Sequence, residues 1–203
     1  MLFKFSQCQA TPWKNGLGST FQRYIWPLDA DLDNFDVRIS MARVQTNGPF
    51  SIFKGIDRHL SLLEGNGLRL TFTDNSATNK PSASRPTIDL TQNSRPYAFK
   101  GEWSIHSELT GSQVLDFNVM VRRGSYQAKV TQCQLTTDCL STIQHEGELI
   151  LLFLKDTEYQ DEATQSHSIA QYDLLIVLSD IISHWRFKHA TPVIITQLLK
   201  CAG

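Results

Sequence analysis

Alternation of apolar and polar residues is the feature that most limits what this chain can become. Phe35-Asp36-Val37-Arg38-Ile39-Ser40-Met41, Gly67-Leu68-Arg69-Leu70-Thr71-Phe72-Thr73 and Phe117-Asn118-Val119-Met120-Val121 all repeat with a period of two. Successive side chains of a strand point to opposite faces, so these runs gather their apolar residues on one side only as β-strands. Glu148 to Leu154 and Asp173 to Leu178 are almost continuously apolar, as strands covered on both faces are. Turn residues separate the runs at Asn47-Gly48-Pro49, Gly65-Asn66-Gly67, Thr73-Asp74-Asn75, Arg123-Gly124-Ser125 and Glu146-Gly147-Glu148. No segment carries a helical period over three turns, and the short polar stretch Gln160 to Ser166 is the best helix candidate. Many short strands divided by glycine turns predict an antiparallel sandwich or barrel.

With 203 residues, the chain has room for one sizeable domain or two small ones. The Arg123-Gly124 turn is the expected boundary, with one half at residues 1–123 and the other at 124–203. Asn75 to Thr87, rich in Ser, Asn, Lys and Pro, reads as a flexible hairpin loop or insertion. The net charge is −1 and the 19 basic residues are scattered, which excludes a nucleic-acid stripe or a polybasic membrane patch. The apolar runs are too short for a membrane-spanning helix, and the N-terminus lacks the pattern of a signal peptide, so a cytoplasmic protein is expected. Cys8, Cys133, Cys139 and Cys201 form no Cys-x-x-Cys pair and read as reduced thiols; a Cys133–Cys139 disulfide is not expected in the cytosol.

Three polar clusters stand out against this background. The first, Pro12-Trp13-Lys14-Asn15-Gly16-Leu17-Gly18-Ser19-Thr20, sets an aromatic ring, an ammonium and a carboxamide before a tight turn. By strand parity, Arg38 and Ser40 share one face of their strand, and Asp116 and Asn118 share one face of theirs. These faces are either ordinary solvated surface or the wall of an interior pocket, with exposure the default for charged residues. Arg58, in Gly55-Ile56-Asp57-Arg58, offers a planar fork that holds a carboxylate through two parallel hydrogen bonds, or else fastens a turn by pairing with Asp57 or Glu64.

Asp57, His59, Glu64 and His106 resemble a degraded metal-binding signature, but the spacing does not assure three ligands, and no bound metal or other cofactor is expected. His145, His167, His184 and His189 have no mutual metal spacing and read as surface or strand-end residues. Neither a Gly-x-Ser-x-Gly elbow nor a phosphate-cradling glycine loop is present.

The clusters occur together with Gly48-Pro49-Phe50-Ser51, Leu62-Leu63-Glu64-Gly65, Pro96-Tyr97-Ala98-Phe99 and Asp116-Phe117-Asn118-Val119-Met120-Val121-Arg122-Arg123. In that order, over roughly the first 120 residues, the sequence resembles the HutD/Ves family of bacterial proteins. The remainder fits only in its β pattern. The resemblance implies an all-β bicupin: two packed antiparallel β-barrels of the RmlC-like cupin type, with very little helix and without the usual metal histidines. Leu17 replaces a glycine common in the family, and His59 replaces a small or apolar residue.

For function, the resemblance implies a metal-free binding protein for a small anionic metabolite such as formylglutamate, regulatory in histidine utilisation or stress response. The expected ligand contacts are Arg58 as carboxylate clamp, Lys14 and Asn15 at the mouth, Arg38, Asp116 and Asn118 for orientation, and Trp13 and Phe99 as apolar walls. Neither nucleic acid nor membrane is an expected partner, and the buried strand patterns are compatible with a homodimer. The alternative is an enzyme of the same fold, a metal-dependent cupin or a metal-free isomerase or hydrolase, with His59, Glu64 or Asp116 as general base on a small acid.

Overall fold

The computed structural model describes residues 1–73, 87–136, 147–177 and 185–201. The chain divides into two compact units: one is Gln9–Arg123, and the other joins Met1–Cys8 to Gly124–Gly203. In chain order the first strands are β1 (Leu2–Phe3), β2 (Ala10–Pro12), β3 (Gly18–Trp26), β4 (Val37–Val44), β5 (Gly48–Pro49) and β6 (Ile56–Glu64). Then come β7 (Leu68–Thr73), β8 (Ile88–Leu90), β9 (Tyr97–Lys100), β10 (Ser104–Leu109), β11 (Val114–Arg122) and β12 (Tyr126–Leu135). The last are β13 (Glu148–Phe153), β14 (Thr157–Gln160), β15 (Ser166–Ile169), β16 (Leu174–Val177), β17 (Arg186–Phe187) and β18 (Thr191–Lys200). A single 3-10 turn, Phe5–Gln7, is the only helical element among the described residues.

In the Gln9–Arg123 unit the long alternating strands form a six-stranded sheet, in the order β2-β3-β4-β11-β6-β9, and a four-stranded sheet, β5-β10-β7-β8. Every pairing is antiparallel. Val44, Leu60, Leu62 and Val114 from the larger sheet meet Leu68, Leu70, Phe72 and Ile105 from the smaller one in a single apolar cluster. Each such side chain taken out of water contributes about 1.5–3 kcal/mol, which is what holds the two sheets face to face. The other unit repeats the plan with a five-stranded sheet, β1-β16-β13-β18-β12, and a three-stranded one, β15-β14-β17. Leu149, Leu151, Val193 and Ile195 of the first pack with Ile169 and Phe187 of the second.

The expected closed barrels are corrected here. Among the described residues, β2 and β9 are the edges of the six-stranded sheet and β5 and β8 those of its partner, and no pairing joins either couple. The sheets of the second unit end in the same way, at β1 and β12 and at β15 and β17. Each unit is therefore a pair of open, stacked sheets. Period two tells which residues point inward, and a sandwich and a barrel bury the same alternate residues. Closure depends on edge pairing and stagger, which alternation does not encode.

The helix candidate Gln160 to Ser166 is instead the hairpin between β14 and β15, whose strands pair Gln160 with Ser166. The Asp161 carboxylate accepts the Gln165 N–H at 2.9 Å, and Thr164 sits at a φ of 60°. A side-chain bond to the main chain gives this polar stretch a turn in place of a helix. Among the described residues, Cys8, Cys133 and Cys201 form no disulfide. Residues 75–86, Cys139, His145, His184 and Leu178 lie outside the described residues.

Candidate functional site

β11 runs between β4 and β6, and this order brings the polar residues of three strands side by side. Met120 stands opposite both Arg38 and Arg58, Asn118 opposite Ser40 and Leu60, and Asp116 opposite Ala42 and Leu62. Even-numbered positions from Arg38 to Val44, from Arg58 to Leu62 and from Asp116 to Met120 thus share one face of the sheet. That face carries Arg38, Ser40, Arg58, Asp116 and Asn118, all of them buried, beside Leu60 and Leu62 of the apolar cluster. The register between β6 and β11 shifts by one residue between Leu115 and Asp116, an irregularity of the kind that re-aims a side chain. Default exposure of the charged face is therefore corrected. β4 and β11 are buried along nearly their whole length on both faces, so neither face is left for water.

These residues line a cavity of about 400 Å³. The hairpin between β2 and β3 contributes Trp13, Lys14, Asn15 and Leu17, and the segment from β5 to Phe53 contributes Phe50, Ser51 and Phe53. Gly16 closes the hairpin with a φ of +70°, a conformation that favours glycine. Gly18 lies so close to the next strand that a Cβ there would meet the Arg43 carbonyl oxygen at 2.5 Å and the Trp13 ring at 3.0 Å. The indole N–H of Trp13 donates to Thr20 Oγ1 at 2.8 Å, which fixes the ring in the wall. Asn15 Oδ1 accepts the Leu17 N–H at 3.1 Å, so Asn15 shapes the turn as well as bordering the cavity. Lys14 is exposed at this border.

Arg58 is the most unusual side chain of the site. It is only 4% exposed, and its guanidinium carbon lies 5.0 Å from the ring centre of Phe99, 5.3 Å from Phe50 and 5.6 Å from Phe53. Nη1 donates to the Ser51 carbonyl oxygen at 3.1 Å, while Nε has no hydrogen-bond partner. Burial lowers its pKa to about 10, against the attraction of Asp116 and with a further push from Arg38. Burial also lowers that of Arg38, whose Nε donates to Gln22 Oε1 at 3.3 Å.

Asp116 is 3% exposed. Burial lifts its carboxyl to about 7, with the Arg58 charge and a main-chain bond from Ala42 pulling the other way. Its Oδ1 and the Oδ1 of Asn118 are buried without a partner. Asp116 and Arg58 thus influence each other's charge without a direct ion pair, since no carboxylate oxygen comes within 4.0 Å of the guanidinium nitrogens. A buried cation with a spare donor beside two spare acceptors can receive a small polar molecule that carries negative charge.

Of the eight residues expected from sequence, seven border the cavity: Trp13, Lys14, Asn15, Arg38, Arg58, Asp116 and Asn118. Phe99 does not. It is the cross-strand partner of Arg58 and packs against the guanidinium from the β9 side. The aromatic wall is supplied instead by Phe50 and Phe53, with Ser107 of β10 adding a hydroxyl. Phe50 belongs to the Gly48-Pro49-Phe50-Ser51 motif and Phe53 follows it closely, but this irregular segment carries no period to say where the rings point.

The suspected metal signature is dispersed. Asp57 pairs with Arg123 at 2.7 Å, Glu64 with Arg43 at 3.6 Å, His59 lies on the face of β6 away from Arg58, and His106 is exposed on β10. Among the described residues no three His, Cys, Asp or Glu side chains group as a metal would require. No helix among them is long and apolar enough to cross a membrane.

Fold and site together define an all-β protein with a cavity lined by two buried arginines in one of its two sandwiches. The HutD family model matches residues 5–194, and the chain belongs to the HutD family. It is 38% identical over 119 residues to Protein Ves of Escherichia fergusonii, covering 58% of this chain and 56% of that protein. It is also 31% identical over 142 residues to an uncharacterised 21.2 kDa protein in the hutC 3′ region of Pseudomonas putida, covering 70% of this chain and 66% of the other. The chain thus spans less than two thirds of the length of these curated relatives. HutD from Pseudomonas fluorescens SBW25, solved in a formate condition, has a similar fold: the TM-score is 0.74 at 20% identity, over 100% of this chain and 99% of that one.

Proposed function

We propose that this chain is a cytoplasmic binding protein for a small carboxylate, acting as a regulatory component rather than as a catalyst. The observation that carries the reading is Arg58, a buried cation whose Nε is unpartnered beside a cavity of about 400 Å³. The charged groups lining that cavity are Lys14, Arg38, Arg58 and Asp116, three cations against one acid, which favours an anion. An arginine fork matches a carboxylate in shape and charge, and Phe50, Phe53 and Trp13 offer apolar walls to its carbon skeleton. The relatives' names, HutD and a protein of the hutC 3′ region, make histidine-degradation intermediates the first compounds to try, N-formylglutamate among them.

Thermal melting against a panel of such acids tests the reading. A ligand at a hundred times its dissociation constant adds about 2.7 kcal/mol of stability. The expected result is a shift in the wild type that is absent in Arg58→Met. If no acid raises the melting temperature, or the shift survives in the variant, the reading fails.

A second reading rests on the elevated pKa of Asp116, which suits a general base of a metal-free isomerase or hydrolase acting on the same acid. NMR of the bound acid after prolonged incubation with the protein separates the two, since only catalysis generates a product.

A further inference from the structure

Asp116 poses a question that carboxylate binding alone does not answer: why a cavity built to attract an anion holds an acid of its own. Asp116 lies on the central strand of the site, with Arg38 on the strand to one side and Arg58 on the strand to the other. From β4 the only charged group facing it is Arg38, from β6 only Arg58, and from the β2–β3 hairpin only Lys14; the four-stranded sheet adds the neutral Ser107. Its Oδ1 is buried and unpartnered, as is the Asn118 Oδ1 two residues along on the same face. Arg58 and Asp116 both line the cavity, so a carboxylate that settles against the Arg58 guanidinium sits in the same small space as the Asp116 carboxyl. Two carboxylates in direct contact repel each other, and one shared proton is the usual way that repulsion is relieved.

We propose that Asp116 is the proton-carrying group of the cavity. It binds the ligand as a neutral carboxylic acid, its O–H donating to the ligand carboxylate while Arg58 holds that carboxylate from the other side. The proton comes from solvent and resides on Asp116, and no covalent bond is made or broken. The site thereby selects ligands that bring an acceptor anion, and it disfavours zwitterionic amino acids, whose ammonium would need the ionised form of Asp116. This inference rests on the carboxylate-binding reading above. The near-neutral titration of the free carboxyl supports it, because the proton is then already half in place at physiological pH.

Linkage sets the sign. Below the titration of free Asp116 the acid is already neutral and affinity does not vary with pH. Above it, one proton is taken up per ligand bound, and affinity falls about tenfold per pH unit.

Calorimetry with N-formylglutamate, or with the tightest-binding acid of the panel should that compound not bind, from pH 5.5 to 8.5 in two buffers of different ionisation heat, reads both quantities. The expected result is uptake close to zero at the acid end, approaching one proton at the alkaline end, with the dissociation constant rising about 15-fold between pH 7 and 8.5. Asp116→Asn, checked for folding by its melting transition, carries a permanent N–H donor and is expected to bind with a flat pH profile and no proton uptake. Binding of the acid with an unchanged dissociation constant and zero uptake across the range overturns the inference and leaves the carboxylate reading standing. Retention of the slope in Asp116→Asn, or tighter binding of glutamate than of its N-formyl derivative, overturns it as well. Failure of every acid to bind at any pH overturns both.

Discussion

Replacing Arg58 by methionine separates what this residue does for binding from what it does for the fold. The guanidinium holds one carbonyl, that of Ser51, and lies within 5.6 Å of three ring centres. A hydrogen bond from a charged group is worth about 1.5–3 kcal/mol net, and a desolvated cation over an aromatic ring about 2 kcal/mol. Against these stands the penalty for a buried cation, several kcal/mol after relaxation. The terms nearly cancel, and methionine fills a similar volume against Phe50, Phe53 and Phe99. Stability is therefore expected to stay within about 2 kcal/mol of wild type. Binding behaves differently, because the ligand's carboxylate loses its buried partner. That loss costs about 2–5 kcal/mol, or roughly a 30- to 5,000-fold weaker dissociation constant. Urea denaturation measures the first quantity and titration calorimetry the second. An affinity within threefold of wild type would refute the clamp. A loss of more than about 4 kcal/mol of stability would show Arg58 to be mainly a structural cation.

Three further outcomes follow from particular contacts. Asp116 titrates at about 7 when folded, above its ordinary range, so the folded state holds the proton more tightly; ligand-free stability should fall as pH rises from about 4 to 7 and level off above, a decline that Asp116→Asn should flatten in pH-dependent denaturation. Gly18→Ala forces a methyl group against the Arg43 carbonyl and the Trp13 ring, and should lower the melting temperature by several degrees and shift Trp13 fluorescence. Asp173, 3% exposed, accepts the main-chain N–H groups of Phe5 at 2.7 Å and Ala170 at 3.1 Å; Asp173→Ala strands both, costing about 2–4 kcal/mol, with faster amide exchange at Phe5 as the check.

Strand parity was enough to group Arg38 with Ser40 and Asp116 with Asn118, because residues two apart must share a face. It was not enough to say that the faces point inward. That depends on β4 and β11 lying inside the six-stranded sheet, with cover on both sides, which is a property of the whole topology. Arg58 was legible as a potential clamp, yet its aromatic surroundings were not. Phe99 reaches it only because β9 pairs with β6, and Phe50 and Phe53 arrive on a segment without a period. Phe99 was accordingly expected in the cavity wall, whereas it supports the guanidinium. Alternation also left sheet closure open, since the same inward residues serve a sandwich and a barrel. The Gln160 to Ser166 stretch shows the local limit: a short polar run has weak helical preference, and one Asp161 side-chain bond turns it into a hairpin.

A crystal structure of this chain grown with N-formylglutamate, or with the tightest acid of the panel, tests the central claim most directly. The account predicts a carboxylate seated in the cavity, within hydrogen-bonding distance of the Arg58 guanidinium and of the Asp116 carboxyl. Saturating acid with the cavity unchanged, or the acid bound only elsewhere on the protein, would contradict it.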